Sequence, residues 1–177
     1  MNLRRDFRAA KGMRPFAMKE GYVFKKVMVL AVGLSLAITG FIPLQGAQAA
    51  LRPRVIEVQN DPGGELAVRV EEIQRLRASG SQVRIVSGYC NSACTMYLGL
   101  PNTCVNRNVS FGFHGPMSQF YGMALPPDDF EYWSGVMASY YPGAIRAWFL
   151  SEARYTTVGL IKVSGRELIG LGVRECQ

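Results

Sequence analysis

Three consecutive segments between Arg54 and Gly88 constrain the fold more than any other part of the chain. "RVIEVQ", Arg54 to Gln59, alternates and is rich in Val and Ile, which predicts a strand. "NDPGG", Asn60 to Gly64, is strong turn punctuation. In "ELAVRVEEIQRLRASG", Leu66, Val70, Ile73 and Leu76 recur at helical spacing with charges between them, and Gly80 ends the helix. "SQVRIVSG", Ser81 to Gly88, predicts a second strand. Strand, helix and strand joined by short links make a βαβ unit, which calls for a parallel pair with a right-handed crossover.

The rest of the chain is read around that unit. "YCNSACTMYLGL", Tyr89 to Leu100, predicts a turn and then a short buried helix ending near Pro101. "NVSFGFHGP", Asn108 to Pro116, predicts a third strand, and "MSQFYGMALPPDD" a loop. "FEYWSGVMASYY" and "PGAIRAWFLSEA" predict two helices broken at Pro142. Their aromatic residues, among them Trp133 and Tyr140, suit either a buried helix pair or a partner surface. "SGRELIGLGV" predicts a short helix turning into a last strand.

The formal charge of +7 invites a nucleic-acid reading, but the charge is unevenly placed. Residues 1–49 hold eight Lys/Arg against two Asp/Glu, and residues 50–177 hold twelve against eleven. The second part carries no basic stripe, so nucleic-acid binding loses its electrostatic warrant. The first part predicts an export leader: Lys25 and Lys26 precede an uncharged run, Val27 to Ile42, and Ala47 and Ala49 fit an A-x-A cleavage site. The run is shorter than the roughly 20 residues of a spanning helix. Cleavage after Ala49 is therefore expected, with anchoring in the inner membrane by Val27 to Ile42 as the alternative. Met18 is an alternative start.

All four cysteines, Cys90, Cys94, Cys104 and Cys176, follow the leader, which predicts two disulfides in an exported chain. Pairing Cys90 with Cys94 would strain the intervening turn, so Cys94–Cys104 and Cys90–Cys176 are expected, with free thiols as the plainer alternative. A zinc site is disfavoured by the CxxxC spacing and the single His, and nothing in the sequence requires a cofactor.

Three features could carry chemistry. Ser92 stands between a strand and a helix, where exposed N–H groups, Ala93's among them, could hold an oxyanion; the plainer reading is an N-cap. His114, the chain's one histidine, ends a strand and could serve Ser92 as general base; the plainer reading is a structural His. Gly63 and Gly64 place bare backbone N–H groups at the sheet's C-terminal edge, or simply make a tight turn.

"PGG" after a strand, "SA" opening a helix after the next and "FHGP" ending the one after resemble the Clp protease proteolytic subunit and its crotonase-like relatives. The resemblance runs from about Val55 to Cys176. It is nearest to exported, periplasmic bacterial proteins of that superfamily, in which "SAC" surrounds the serine and "GFHGP" the histidine. It implies a small α/β domain over residues 50–177, with a mostly parallel sheet built from ββα and βαβ units and helices packed around it. It implies a serine hydrolase, peptidase-like, acting on a peptide or protein: Ser92 the nucleophile, His114 the base, Gly64 and Ala93 the oxyanion donors. The family's acid would fall at Leu160, four residues before Ser164. Glu152 and Asp128 are the candidate substitutes, a Ser–His dyad is a further option, and a binding or scaffold protein without catalysis is the rival function. A homo-oligomer is compatible with the resemblance. The family's large ring is not expected, because the strand unit that precedes "PGG" in the family is missing here. A cysteine nucleophile at position 90 or 94 would not match the family's catalytic position.

Overall fold

The computed structural model describes residues 52–118, 120 and 123–177; the expected leader lies outside them. Strand β1 (Val55–Asp61), helix α1 (Leu66–Ala78) and strand β2 (Gln82–Asn91) form the expected βαβ unit, with β1 and β2 parallel. Helix α1 buries Ile73 and Leu76, half-buries Leu66 and Val70, and turns out at Gly80 with φ +65°. The β2 strand runs beyond the Gly88 at which the sequence pattern stops. A break in register there is taken up by Gly88 at φ +69°, whose bare Cα lies against the Asn60 side chain.

Ten residues make β2 long enough to pair twice along one edge. Its first half pairs in parallel with β3 (Thr103–Val105), and its last three residues pair in parallel with β4 (Ser110–Phe113). Strand β5 (Ile161–Ser164) then pairs antiparallel with β4. The sheet is therefore mixed, in the order β1-β2-β4-β5 with β3 beside β2. The final strand expected after "SGRELIGLGV" is not formed. The strand of that region is β5, before the helix, and the tail adds only a single parallel bridge, Val105 to Glu175. At three or four residues, β3 and β5 are too short to show a period.

A 3₁₀ helix, Ser92–Gly99, follows β2, with Ala93 to Leu98 all buried. Helices α2 (Pro127–Ser139) and α3 (Gly143–Ser151) break at Pro142 as expected. Pro127 opens α2, and Asp128 and Asp129 in its first turn complement the helix dipole. A short 3₁₀ turn, Ala153–Tyr155, leads from α3 toward β5. Helix α4 (Gly165–Gly170) is started by a reciprocal cap in which Ser164 Oγ accepts from the Glu167 N–H and Glu167 accepts from the Ser164 N–H. One apolar core joins the sheet to α1, α3, α4 and the Ser92 helix through Val58, Ile73, Ile85, Met96, Phe111, Phe149 and Leu168. Buried residues of this size are each worth about 1.5–3 kcal/mol.

The disulfides differ from the expected pairing. Cys90 joins Cys94, with Cα atoms 5.3 Å apart, and Cys104 joins Cys176, 4.9 Å apart. Ser92 has φ +54°, and the chain coils at once into the 3₁₀ helix. That reversal brings positions 90 and 94 within bridging range. The Val105–Glu175 bridge lays the tail beside β3 and so delivers Cys176 to Cys104.

Candidate functional site

The C-terminal ends of β1 and β2 lie side by side, Asp61 opposite Cys90. The two turns that leave them, Asp61 to Gly64 and Cys90 to Cys94, therefore meet. Gly63, at φ +104°, is pressed against the Ser92 turn: a Cβ there would sit 2.6 Å from Ser92 Cβ and 3.0 Å from the Ala93 nitrogen. Only glycine fits this approach. Gly64, at φ +126°, faces open space.

Ser92 is not a plain helix cap. The cap residue is Asn91, in extended conformation and without a side-chain cap bond, while Ser92 itself occupies the left-handed region at φ +54°. A non-glycine residue held there is strained, and such strain gathers at functional sites. The turn is secured from below. The Cys90–Cys94 bridge closes it, and the buried Thr95 hydroxyl donates to the Ser92 carbonyl at 2.7 Å while bonding the Tyr141 hydroxyl, also at 2.7 Å. Among the described residues Ser92 Oγ makes no hydrogen bond. The Ala93 N–H belongs to the first helical turn, where amides lack an intrahelical partner.

His114 follows directly on β4 and is 7% exposed. Its neighbour Phe113 packs edge-on against Trp148 at 5.3 Å and Tyr141 at 5.6 Å, so α3 and the link between α2 and α3 anchor this strand end. His114 Nδ1 donates to the Gly115 carbonyl at 2.6 Å. A carbonyl can only accept, so the proton resides on Nδ1 and the neutral ring leaves Nε2 as a base. Burial lowers the pKa of His114 below its ordinary 6.5, with the Gly115 bond acting weakly in the other direction. Gly115 is itself wedged against the Arg154 carbonyl, and its N–H donates to the Thr156 carbonyl at 3.0 Å.

Ser92, His114 and Gly64 line one cleft of about 560 Å³. Its walls are largely apolar: Leu66 on α1, Met117 and Phe120 on the loop after β4, Trp133 and Met137 on α2. Phe120 is 70% exposed. The helix pair thus divides its aromatic residues. On and beside α3, Tyr141, Trp148 and Phe149 are buried, while Trp133 on α2 faces the cleft.

Neither candidate acid lines the cleft. Asp128 is exposed in the first turn of α2, and Glu152, which caps α3, accepts from Trp148 Nε1 at 3.2 Å. Leu160 lies one step past the last β4–β5 pair, Phe113 with Ile161, and its side chain lies against Gly112. The one carboxylate lining the cleft among the described residues is Glu65, which the sequence reading passed over. That reading also passed over Asp61, whose Oδ1 accepts from the Gly63 N–H at 2.8 Å; an Asp two residues before a glycine is a recognisable Asx turn.

Among the described residues no three His, Cys, Asp or Glu side chains gather so as to hold a metal ion, and no helix is long and apolar enough to cross a membrane. No protein-family model matches the chain, and no curated protein matches it significantly.

Proposed function

We propose that the chain is an exported serine hydrolase, peptidase-like, of the Clp and crotonase-like kind. The observation that carries the reading is Ser92, strained at φ +54° at a helix start, sharing one cleft with a neutral histidine and the Gly64 backbone. Such a cleft suits acyl transfer to water. Ser92 Oγ attacks the carbonyl carbon of a peptide or ester bound along the apolar wall, and His114 Nε2 takes its proton. The Gly64 and Ala93 N–H groups hold the oxyanion, a role in which one donor is worth roughly 3–4 kcal/mol. Collapse expels the amine or alcohol, protonated by His114, and water then frees the acyl group from Ser92 by the same route. The Gly115 carbonyl keeps the imidazole in the needed tautomer, in place of an acid. The pairing of all four cysteines suits an oxidising compartment such as the periplasm.

One observation favours a second reading, a binding or scaffold protein in which this cleft only holds a peptide. Nδ1 of His114 meets a carbonyl instead of a carboxylate. A fluorophosphonate probe on oxidised protein separates the two. A single adduct on wild type, lost in Ser92→Ala and reduced about 10³-fold or more in rate in His114→Ala, supports the hydrolase. A folded wild type that takes no adduct supports the binding protein.

A further inference from the structure

Arg69 lies on α1 with its side chain only 10% exposed, and it has no assigned part in the chemistry above. Both terminal nitrogens of its guanidinium are engaged. Nη1 donates to Glu72 at 3.0 Å and to the Tyr97 hydroxyl, and the group lies 4.5 Å from the Tyr97 ring centre. Nη2 donates to Asp61 Oδ2 at 2.7 Å and to the Gly63 carbonyl at 3.2 Å. The other oxygen of Asp61 accepts from the Gly63 N–H. One ion pair therefore grips Gly63 on both sides, its N–H through Asp61 and its carbonyl through Arg69.

This grip has a consequence one atom further along. The Gly63–Gly64 peptide is trans and planar, so the Gly63 carbonyl and the Gly64 N–H point in opposite directions. Glycine on both sides supplies no side chain to limit rotation of that plane. With the carbonyl turned toward α1 by Arg69, the Gly64 N–H is turned away from α1. Gly64 lines the cleft, and its N–H has no partner among the described residues. Without the guanidinium the plane is free to turn, and the donor is lost from the site.

We infer that Arg69 is the positioning residue of the oxyanion hole: with Asp61 it locks the Gly63–Gly64 peptide so that the Gly64 N–H is presented to the cleft. The inference rests on the hydrolase reading. It requires Arg69 to act on the transition state, where the oxyanion exists, and to leave ground-state binding alone.

The test is fluorophosphonate labelling of the oxidised full-length protein, with the reversible binding constant resolved from the maximal rate. Arg69→Met is expected to lower the maximal rate about tenfold to hundredfold, short of the 10²–10³ that follows deletion of a donor, with reversible binding within about twofold. Arg69→Lys retains a cation able to reach one acceptor and is expected to recover part of the rate. Asp61→Asn keeps the acceptor for the Gly63 N–H, loses the ion pair, and is expected to fall between; it carries the test should Arg69→Met not fold. Glu72→Gln removes an ion pair of Arg69 on the side away from the turn and is expected to label at the wild-type rate. Labelling of Arg69→Met at the wild-type rate overturns the inference. So does an equal loss in Glu72→Gln, which would make Arg69 a matter of fold stability. A wild type that never labels overturns the hydrolase reading and this inference together, whereas a labelled wild type with indifferent Arg69 and Asp61 variants overturns this inference alone.

Discussion

The Cys90–Cys94 bridge spans four positions and encloses Ser92, whereas Cys104–Cys176 spans 72 and fastens the tail to β3. The first closes so short a loop that it removes little freedom from the unfolded chain; the second closes a long one. The first lies inside a strained turn at the cleft, with both of its cysteines wholly buried, and the second lies at the edge of the sheet away from it. The same bond thus has two physical uses. One limits the unfolded ensemble, and the other limits the geometry of five residues in the folded state.

The largest stability effect is expected at the long bridge. Replacing Cys104 and Cys176 together by Ala should cost about 4 kcal/mol by the loop-length relation, a fall of about 15 °C in melting temperature. Labelling of Ser92 at low temperature should be unchanged. A large loss of labelling in that variant would break the division of roles.

Gly63→Ala comes next, at about 3 kcal/mol, because it puts a Cβ at φ +104° against Ser92. Melting temperature and labelling rate should fall together. An alanine accepted without loss would mean that the two turns do not meet as described.

The double Cys90→Ala, Cys94→Ala variant should cost about 2 kcal/mol, half the cost of the long bridge. Its labelling rate should nonetheless fall about tenfold or more, since Ser92 is then free to leave the left-handed region. If it labels as fast as wild type, the buried Thr95–Tyr141 pair alone suffices to hold the turn.

The smallest effect is on pH dependence. His114 must be neutral to act as base, and burial lowers its pKa, so labelling should persist below pH 6.5 and fall only as the lowered value is crossed. The unfolded chain binds this proton near pH 6.5 and the folded one only at lower pH. Stability should therefore decrease as pH drops through that window and then level off. The labelling midpoint should stay put when the long bridge is removed. A midpoint above 6.5 would contradict a buried, neutral His114.

The comparison also shows which parts of the molecule can be read without coordinates. The βαβ unit, the two helices around Pro142 and the meeting of Ser92, His114 and Gly64 in one cleft follow the sequence patterns closely. Periodicity over ten residues and glycine pairs at strand ends are local signals. The antiparallel β5, the three-residue β3 and the pairing of the cysteines do not follow them. A strand of three or four residues takes its stability from its neighbours in the sheet, so it leaves no period of its own. The cysteine pairing turned on one dihedral angle, the positive φ of Ser92, which no residue type announces when the residue is not glycine.

What the sequence by itself determined is therefore the βαβ unit, the helix pair around Pro142, the export-like leader pattern in residues 1–49, and the three positions around which a hydrolytic site could be built. Tertiary structure alone decided which cysteines meet, that His114 Nδ1 meets the Gly115 carbonyl and not an acid, and that Arg69 grips Gly63 from a different element. The reason is physical. Local pattern encodes burial and turn chemistry over a few residues, while distance between side chains on separate elements is set by how the packed layers close over one another.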